Sequence, residues 1–311
     1  MGQLVVETTD LTKRYNGFTA VNNLNLRIEE GEMFGFLGAN GAGKTTTLLM
    51  LLGLTEPTSG TVRVCGKDPT RDALEVKRQV GYLPERVGFY EDLTARQNMR
   101  FIANLNHMPR AEAEEKIDSV LGTVGLARVR DQAVGTFSKG MKQRLGIADI
   151  LLKEPRLAFL DEPTTGIDPN GIDDILKLIA GMGKKGITVI FCSHVLPQVQ
   201  KLCSRVGIMS KGVLVADGQI DRLGREVAAG GKFRIEAELD GVGPDVLEAV
   251  RQVKGVHDVE TVDRTLIIAA DSDLRGQISR AIIDSGALLL GMRVEEYDLE
   301  QIFKRYSKEA I

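Results

Sequence analysis

The 311-residue chain has little cysteine, no excess of one charge and no long hydrophobic run. Cys65, Cys192 and Cys203 are odd in number and scattered, with no pair at metal or redox spacing. That excludes a disulfide framework and leaves reduced thiols in a cytoplasmic compartment as the expectation. Lysine and arginine total 40 against 43 acids, a net charge of −3. A general attraction to polyphosphate backbones is thereby absent, and no nucleic-acid partner is expected. The densest apolar run, "LLMLLGL" from Leu48 to Leu54, falls far short of the roughly 20 residues a membrane-spanning helix needs. The N-terminus "MGQLVVETTD" also lacks the basic-then-apolar pattern of a secretion signal. Any membrane role must be borrowed from a partner chain. No fixed-period repeat or low-complexity tract is visible. What remains is an ordinary globular composition, 43% hydrophobic and 27% charged, long enough for one large domain and a smaller one.

Against that background one stretch is conspicuous. From Gly38 to Thr45 the sequence reads "GANGAGKT", fitting G-x-x-x-x-G-K-[ST], between an apolar strand ("MFGFLG") and a leucine-rich helix ("TTLLMLLGL"). Glycines at 38, 41 and 43 let the loop adopt positive φ and bring its amides close to an anion. The following helix adds unpaired N–H groups and a positive dipole end. The candidate phosphate-binding residues are Gly38, Asn40, Gly41, Ala42, Gly43, Lys44, Thr45 and Thr46. Lys44 has the reach for β- and γ-phosphates and the Thr45 hydroxyl suits Mg²⁺. These assign ATP and Mg²⁺ as cofactors.

"RLAFLDEP" supplies a run of four apolar residues, Leu157 to Leu160, then Asp161 and Glu162. Such a run suits a strand buried on both faces of a parallel sheet, and its carboxyl end is where ligands bind in open α/β sheets. Asp161 is assigned to Mg²⁺, directly or through water, and Glu162 to activation of the attacking water. A third strand, "GITVIFCSH", brings His194 to the same rim, within reach of a γ-phosphate.

Together these elements resemble the nucleotide-binding subunits of ABC transporters over roughly Leu4 to Asp217. The resemblance implies a P-loop cassette: a parallel sheet core, an antiparallel N-terminal sheet and a helical subdomain over about residues 86–146. It assigns Tyr15 in "TKRYNG" to stacking on adenine and "GYLPE" to the Q-loop, with Glu85 where glutamine is usual, near Mg²⁺. "FSKGMKQRLGIA" corresponds to the family signature, with Ser138 and Gly140 facing phosphate and Lys139 and Met141 departing from the usual residues. "TTGIDP" corresponds to the D-loop with Asp168, and His194 to the switch histidine. One chain carries one phosphate loop and one signature, so the resemblance implies a homodimer or ABC-ATPase heterodimer sandwiching two ATP molecules. The partner is then a separate permease, and the protein is peripheral on the cytoplasmic face of the membrane. "GYLPE" and the "SKGM" signature resemble the ABC-2-type export branch. The competing reading is a soluble ABC ATPase acting on ribosomes or DNA, whose members carry two cassettes or long coiled coils.

The remainder is organised around this cassette, which is expected over residues 1–224. "DLTARQNMRFIANLN" and "RAEAEEKIDSVLGTVGL" place apolar residues near helix spacing. Phe89 and Tyr90 either dock a partner's coupling helix or pack inside the subdomain. "LGREVAAGGKF" marks a boundary, after which "FRIEAEL" alternates as a half-buried strand. "PDVLEAVRQV", "TLIIAA", "LRGQISRAIIDSG" and "ALLLGMRVEEY" complete an order close to β-α-β-β-α-β, a small ferredoxin-like α+β domain expected over 232–311. "LEQIFKRYSKE" closes the chain as a helix. Dimer support, regulation and a passive appendage all remain open for this unit.

Overall fold

The computed structural model describes residues 2–227, 233–294 and 299–309. The chain parts into two compact units after Asp217. The boundary stretch read from the glycines falls partly on 228–232, and the end of "ALLLGMRVEEY" falls on 295–297, both outside the described residues.

In the first unit β1 (Leu4–Tyr15) and β2 (Phe18–Glu29) form a hairpin. Its two turn residues, Asn16 and Gly17, take φ values of 42° and 87°. Two positive φ values match the twist of the flanking strands, which is why this Asn-Gly pair turns the chain so tightly. Next come β3 (Met33–Gly38), α1 (Lys44–Leu51) and β4 (Ser59–Val64), the last pairing with β1 to complete an antiparallel sheet ordered β2-β1-β4. After α2 (Ala73–Gln79) and β5 (Val80–Leu83), the helical region holds α3 (Ala95–Leu105), α4 (Arg110–Thr123) and α5 (Lys139–Lys153). Thr94 and Gln97 cap α3 reciprocally, and Ser138 caps α5 by accepting from the Met141 amide at 3.2 Å. Each cap is worth about 1 kcal/mol, enough to fix where these helices begin.

Helix α5 does not stop at Gly146. It runs on to Lys153, and Gly146 is what lets it lie against β5: a Cβ there would stand 2.4 Å from Leu83 Cδ1. The unit then closes with β6 (Leu157–Asp161), α6 (Pro169–Lys184), β7 (Thr188–Ser193), α7 (Leu196–Leu202), β8 (Arg205–Ser210) and β9 (Val213–Gln219). The six-stranded sheet is ordered β5-β6-β7-β3-β8-β9, with β5, β6, β7, β3 and β8 parallel. Every residue of β6 and β7 is buried, which explains their apolar runs, Leu157 to Leu160 and Val189 to Cys192. Phe34, Phe36, Phe159 and Phe191 fill the interior around them, each contributing about 2–3 kcal/mol by burial.

The second unit holds α8 (Ile220–Val227), β10 (Phe233–Leu239), α9 (Pro244–Arg251), β11 (Val256–Val262), β12 (Thr265–Ala270), α10 (Arg275–Asp284), β13 (Leu289–Val294) and α11 (Leu299–Glu309). Its antiparallel sheet is ordered β11-β12-β10-β13. With the two crossover helices α9 and α10, that is the split β-α-β arrangement expected from the sequence. Val246 and Val250 are buried on α9, and Leu247 and Val253 pack partly buried against the same core.

Candidate active site

Four neighbouring parallel strands, β5, β6, β7 and β3, deliver their carboxyl ends to one edge of the sheet. Each end leads into a residue marked out by the sequence. Glu85 follows β5, Asp161 ends β6 with Glu162 next, His194 follows β7, and Gly38 ends β3. The sheet topology therefore assembles residues that are far apart in sequence.

At the loop after β3, Gly41 and Gly43 have φ of 80° and 104°. A Cβ on Gly43 would stand 2.5 Å from the Ala20 carbonyl, whereas one on Gly41 would meet nothing within 4 Å. Gly43 thus wedges the loop under β2, while Gly41 keeps its outer side open. Ala42 is buried, Asn40 is exposed, and Thr46 lies half-buried in the first turn of α1. Lys44 is buried, and its ammonium donates to the carbonyls of Gly38 at 2.6 Å and Ala39 at 3.3 Å. It also lies 3.8 Å from Glu162 Oε1. The ammonium is thus held directly beneath the loop.

Thr45 Oγ1 donates to Asp161 Oδ2 at 3.0 Å. The Asp161 carboxyl is pushed up from its ordinary pKa chiefly by burial; the Thr45 hydrogen bond opposes this, and the negative charges of Glu162 and Glu85 add to it. Exposed Glu85 is therefore close enough for its charge to be felt at Asp161. Glu162 Oε2 accepts from His194 Nδ1 at 2.9 Å, and Thr165 Oγ1 stands 3.5 Å from the same oxygen. Glu162 has φ 48°, a left-handed backbone unusual for a residue with a side chain, and its amide donates to the Cys192 carbonyl. Strain of this kind persists where surrounding structure over-determines it, as at sites of chemistry.

Two buried oxygens here, Asp161 Oδ1 and Glu162 Oε1, have no hydrogen-bond partner among the described residues. Glu162 Oε1 faces the Lys44 ammonium, whereas the unmet Asp161 oxygen beside the Thr45 hydroxyl suits Mg²⁺, which commonly takes one or two carboxylates and completes its octahedron with water and phosphate. Among the described residues no cluster of three or more His, Cys, Asp or Glu side chains offers a metal site of its own. The donor set therefore fits a metal that arrives with phosphate.

A second group lies along the start of α5 and the turn before α6. Ser138 caps α5, and Asp168 caps α6 by accepting from the Gly171 amide at 3.1 Å. A Cβ on Gly140 would sit 3.6 Å from Ile167 Cγ2, so the two segments touch within one chain. Lys139 folds back over this contact: a Cβ on Gly166 would lie 2.6 Å from its Nζ. Tyr15 stands apart from both groups, at the tip of the β1–β2 hairpin, 43% exposed with the Lys13 ammonium 4.9 Å from its ring centroid. The hydrogen-bonded set thus comprises Gly38, Lys44, Thr45, Asp161, Glu162 and His194. Sequence reasoning missed the buried Thr164 hydroxyl, which donates to Gln198 at 2.6 Å and ties the turn after Glu162 to α7. The doubled threonine in "TTGIDP" was its only signal.

A family model described as ABC transporter matches residues 21–165. The bacitracin transport ATP-binding protein BcrA of Bacillus licheniformis is 39% identical over 302 residues, covering 96% of each chain. The linearmycin resistance ATP-binding protein LnrL of Bacillus subtilis is 32% identical over 303 residues, covering 96% of this chain and 97% of LnrL. A solved ATP-binding subunit of an ABC transporter superposes with a TM-score of 0.67 at 31% identity, over 73% of this chain and 95% of that one. This chain belongs to the ATP-binding subunits of ABC transporters. It is an ATPase whose hydrolysis is coupled to transport, working in complexes with permeases, and it stands beside the ABC-2-type export ATPases.

Proposed function

We propose that the residues gathered at the sheet edge hold Mg-ATP and activate water against it. The amides of Gly38, Asn40, Gly41, Ala42, Gly43 and Thr46 cradle the phosphates, and Lys44 neutralises their outer charge. Thr45 and Asp161 hold Mg²⁺, with Glu85 beside them; when bound, the metal draws charge from the β- and γ-phosphate oxygens. Glu162 takes the proton of the attacking water, and His194 beside it donates from one ring nitrogen to the γ-phosphate. Tyr15 stacks on adenine. Ser138 and Gly140, at the positive end of α5, face the ATP of a second cassette, with Asp168 at that junction. The single phosphate loop and single signature support a sandwich dimer, of two copies or with a related ATPase. The observation that carries this reading is the contact chain Lys44–Glu162–His194 alongside Thr45–Asp161.

Through a permease partner we place the protein on the cytoplasmic face of the membrane; no helix among the described residues is long and apolar enough to cross a membrane. The named transport and resistance roles of the BcrA and LnrL relatives support outward transport. Phe89 and Tyr90 line an open groove of about 440 Å³ between the end of β5 and helices α3 and α5. We assign that groove to the permease.

The test is Glu162→Gln, which keeps the shape of the side chain and removes the base. Hydrolysis should fall about 10²–10⁴-fold. Size-exclusion chromatography should show a dimer with Mg-ATP and mostly monomer without it. Normal turnover removes Glu162 as the base; ATP binding without dimerisation, with the permease present, removes the sandwich.

A further inference from the structure

The groove assigned to the permease is mostly apolar, walled by Leu83, Val87, Phe89, Phe101 and Ile102. Tyr90 and Phe101 meet edge to face on its rim, ring centroids 5.1 Å apart, and stay 57% and 41% exposed. One polar side chain of its lining is fully engaged. Asn98 is buried, donates to the carbonyls of Tyr90, Leu93 and Thr94, and accepts from the Tyr90 amide.

Asp149 differs. It projects from α5 into the groove lining, and its Oδ1 is buried with no hydrogen-bond partner among the described residues. The nearest cation on its own helix, Lys153, is committed elsewhere, donating to the carbonyls of Lys77 at 3.0 Å and Val80 at 2.9 Å. Burial pushes the Asp149 carboxyl up to about 6, and Lys153 only partly offsets that. A carboxylate kept in apolar surroundings without a partner is costly, and that cost turns into affinity once a cation is supplied.

Resting on the permease reading of this groove, we propose that Asp149 is the anchor for a basic side chain of the permease. The occupant is then an amphipathic cytoplasmic segment whose apolar residues pack on Phe89, Tyr90 and Phe101. One arginine or lysine among them reaches the Asp149 carboxylate. The aromatic rim supplies burial and the single acid supplies register, because only one alignment of such a segment pairs the charge.

The full-length tagged chain with Phe101→benzoylphenylalanine, irradiated in membranes of the cells that make it, tests this. The cross-linked partner peptide, sequenced by mass spectrometry, should carry Lys or Arg within about one helical turn of the linkage. Asp149→Asn should cut the adduct at least about tenfold while melting no lower than the parent chain. Asp149→Arg should abolish the adduct, and replacing the partner's basic residue with Asp should restore it. A linked segment without a basic residue, an adduct indifferent to Asp149→Asn, or a failed charge exchange overturns the anchor and leaves the groove to the permease. Co-purification of a polytopic membrane protein without any groove adduct overturns the groove assignment and the anchor together. Absence of such co-purification removes the permease reading itself.

Discussion

The two units bury different things. The polar and charged residues that are buried as a whole lie in the first unit among the described residues, including Lys44, Asn98, Gln143, Asp161, Glu162, Thr164 and Gln198, while in the second unit the Ser307 hydroxyl oxygen is buried. The second unit's core is wholly apolar, built from residues such as Ile235, Leu239, Val250, Leu266, Ile268 and Ile282, and pairs such as Arg275–Asp273 stay at its surface. Burying charge costs stability unless partners repay it. The first unit carries that cost at Lys44, Asp161 and Glu162, residues of the proposed site.

The contrast can be broken most severely at Lys44. Lys44→Ala removes the ammonium held beneath the phosphate loop and should lower ATP hydrolysis about 100-fold or more, measured by phosphate release. Near-normal turnover would mean that the buried charge is not there for phosphate.

Asp149 sharpens the comparison, since it is a first-unit acid outside the catalytic edge. Its carboxyl pKa is raised in the fold, so ionisation penalises the folded state. The penalty is nil below the unfolded value near 4, grows as pH rises toward about 6, and is full above that. Asp149→Asn should therefore raise the melting temperature at pH 8 by a few degrees, on the order of 1–3 kcal/mol, and leave it nearly unchanged at pH 4. Scanning calorimetry at both values checks the sign; equal effects would show that the carboxylate is not penalised.

The smallest effect is expected from removing most of the second unit. A chain ending near Gly224 keeps all the proposed ATP-binding residues. Its nucleotide affinity should change less than about twofold by titration calorimetry, with circular dichroism confirming the fold. A well-folded truncation that binds no ATP would give the second unit a place in the site.

Much of the catalytic edge was legible because its signals are local: a glycine loop, a strand ending in Asp-Glu, a strand ending in histidine. Strands β3, β6 and β7 were readable from unbroken apolar runs. Strand β11 was not, since only Val259 of its residues is buried and no alternation survives. The left-handed backbone of Glu162 carries no sequence mark, because it is imposed by the neighbouring strand through the Cys192 carbonyl. Asp149 reads as an ordinary helix acid in "GIADILL", and only the packing of α5 on β5 shows that its partner is missing. The full length of α5 was obscured by Gly146, a helix-weakening residue kept for a close approach that no local pattern reveals.

The position of β3 in the sheet has a consequence for how the protein is made. Phe34 pairs with Ile190 on one side and with Arg205 on the other, so the strand that launches the phosphate loop is flanked by strands synthesised long after it. Parallel pairing at such sequence separation closes slowly, because the entropy of the intervening loop is lost before the contacts form. A nascent chain released before β8 would expose the apolar face of β3 and carry a phosphate loop with one wall absent. Arrival of β8 at the ribosome exit is therefore the event after which the nucleotide can itself begin to stabilise the nascent chain.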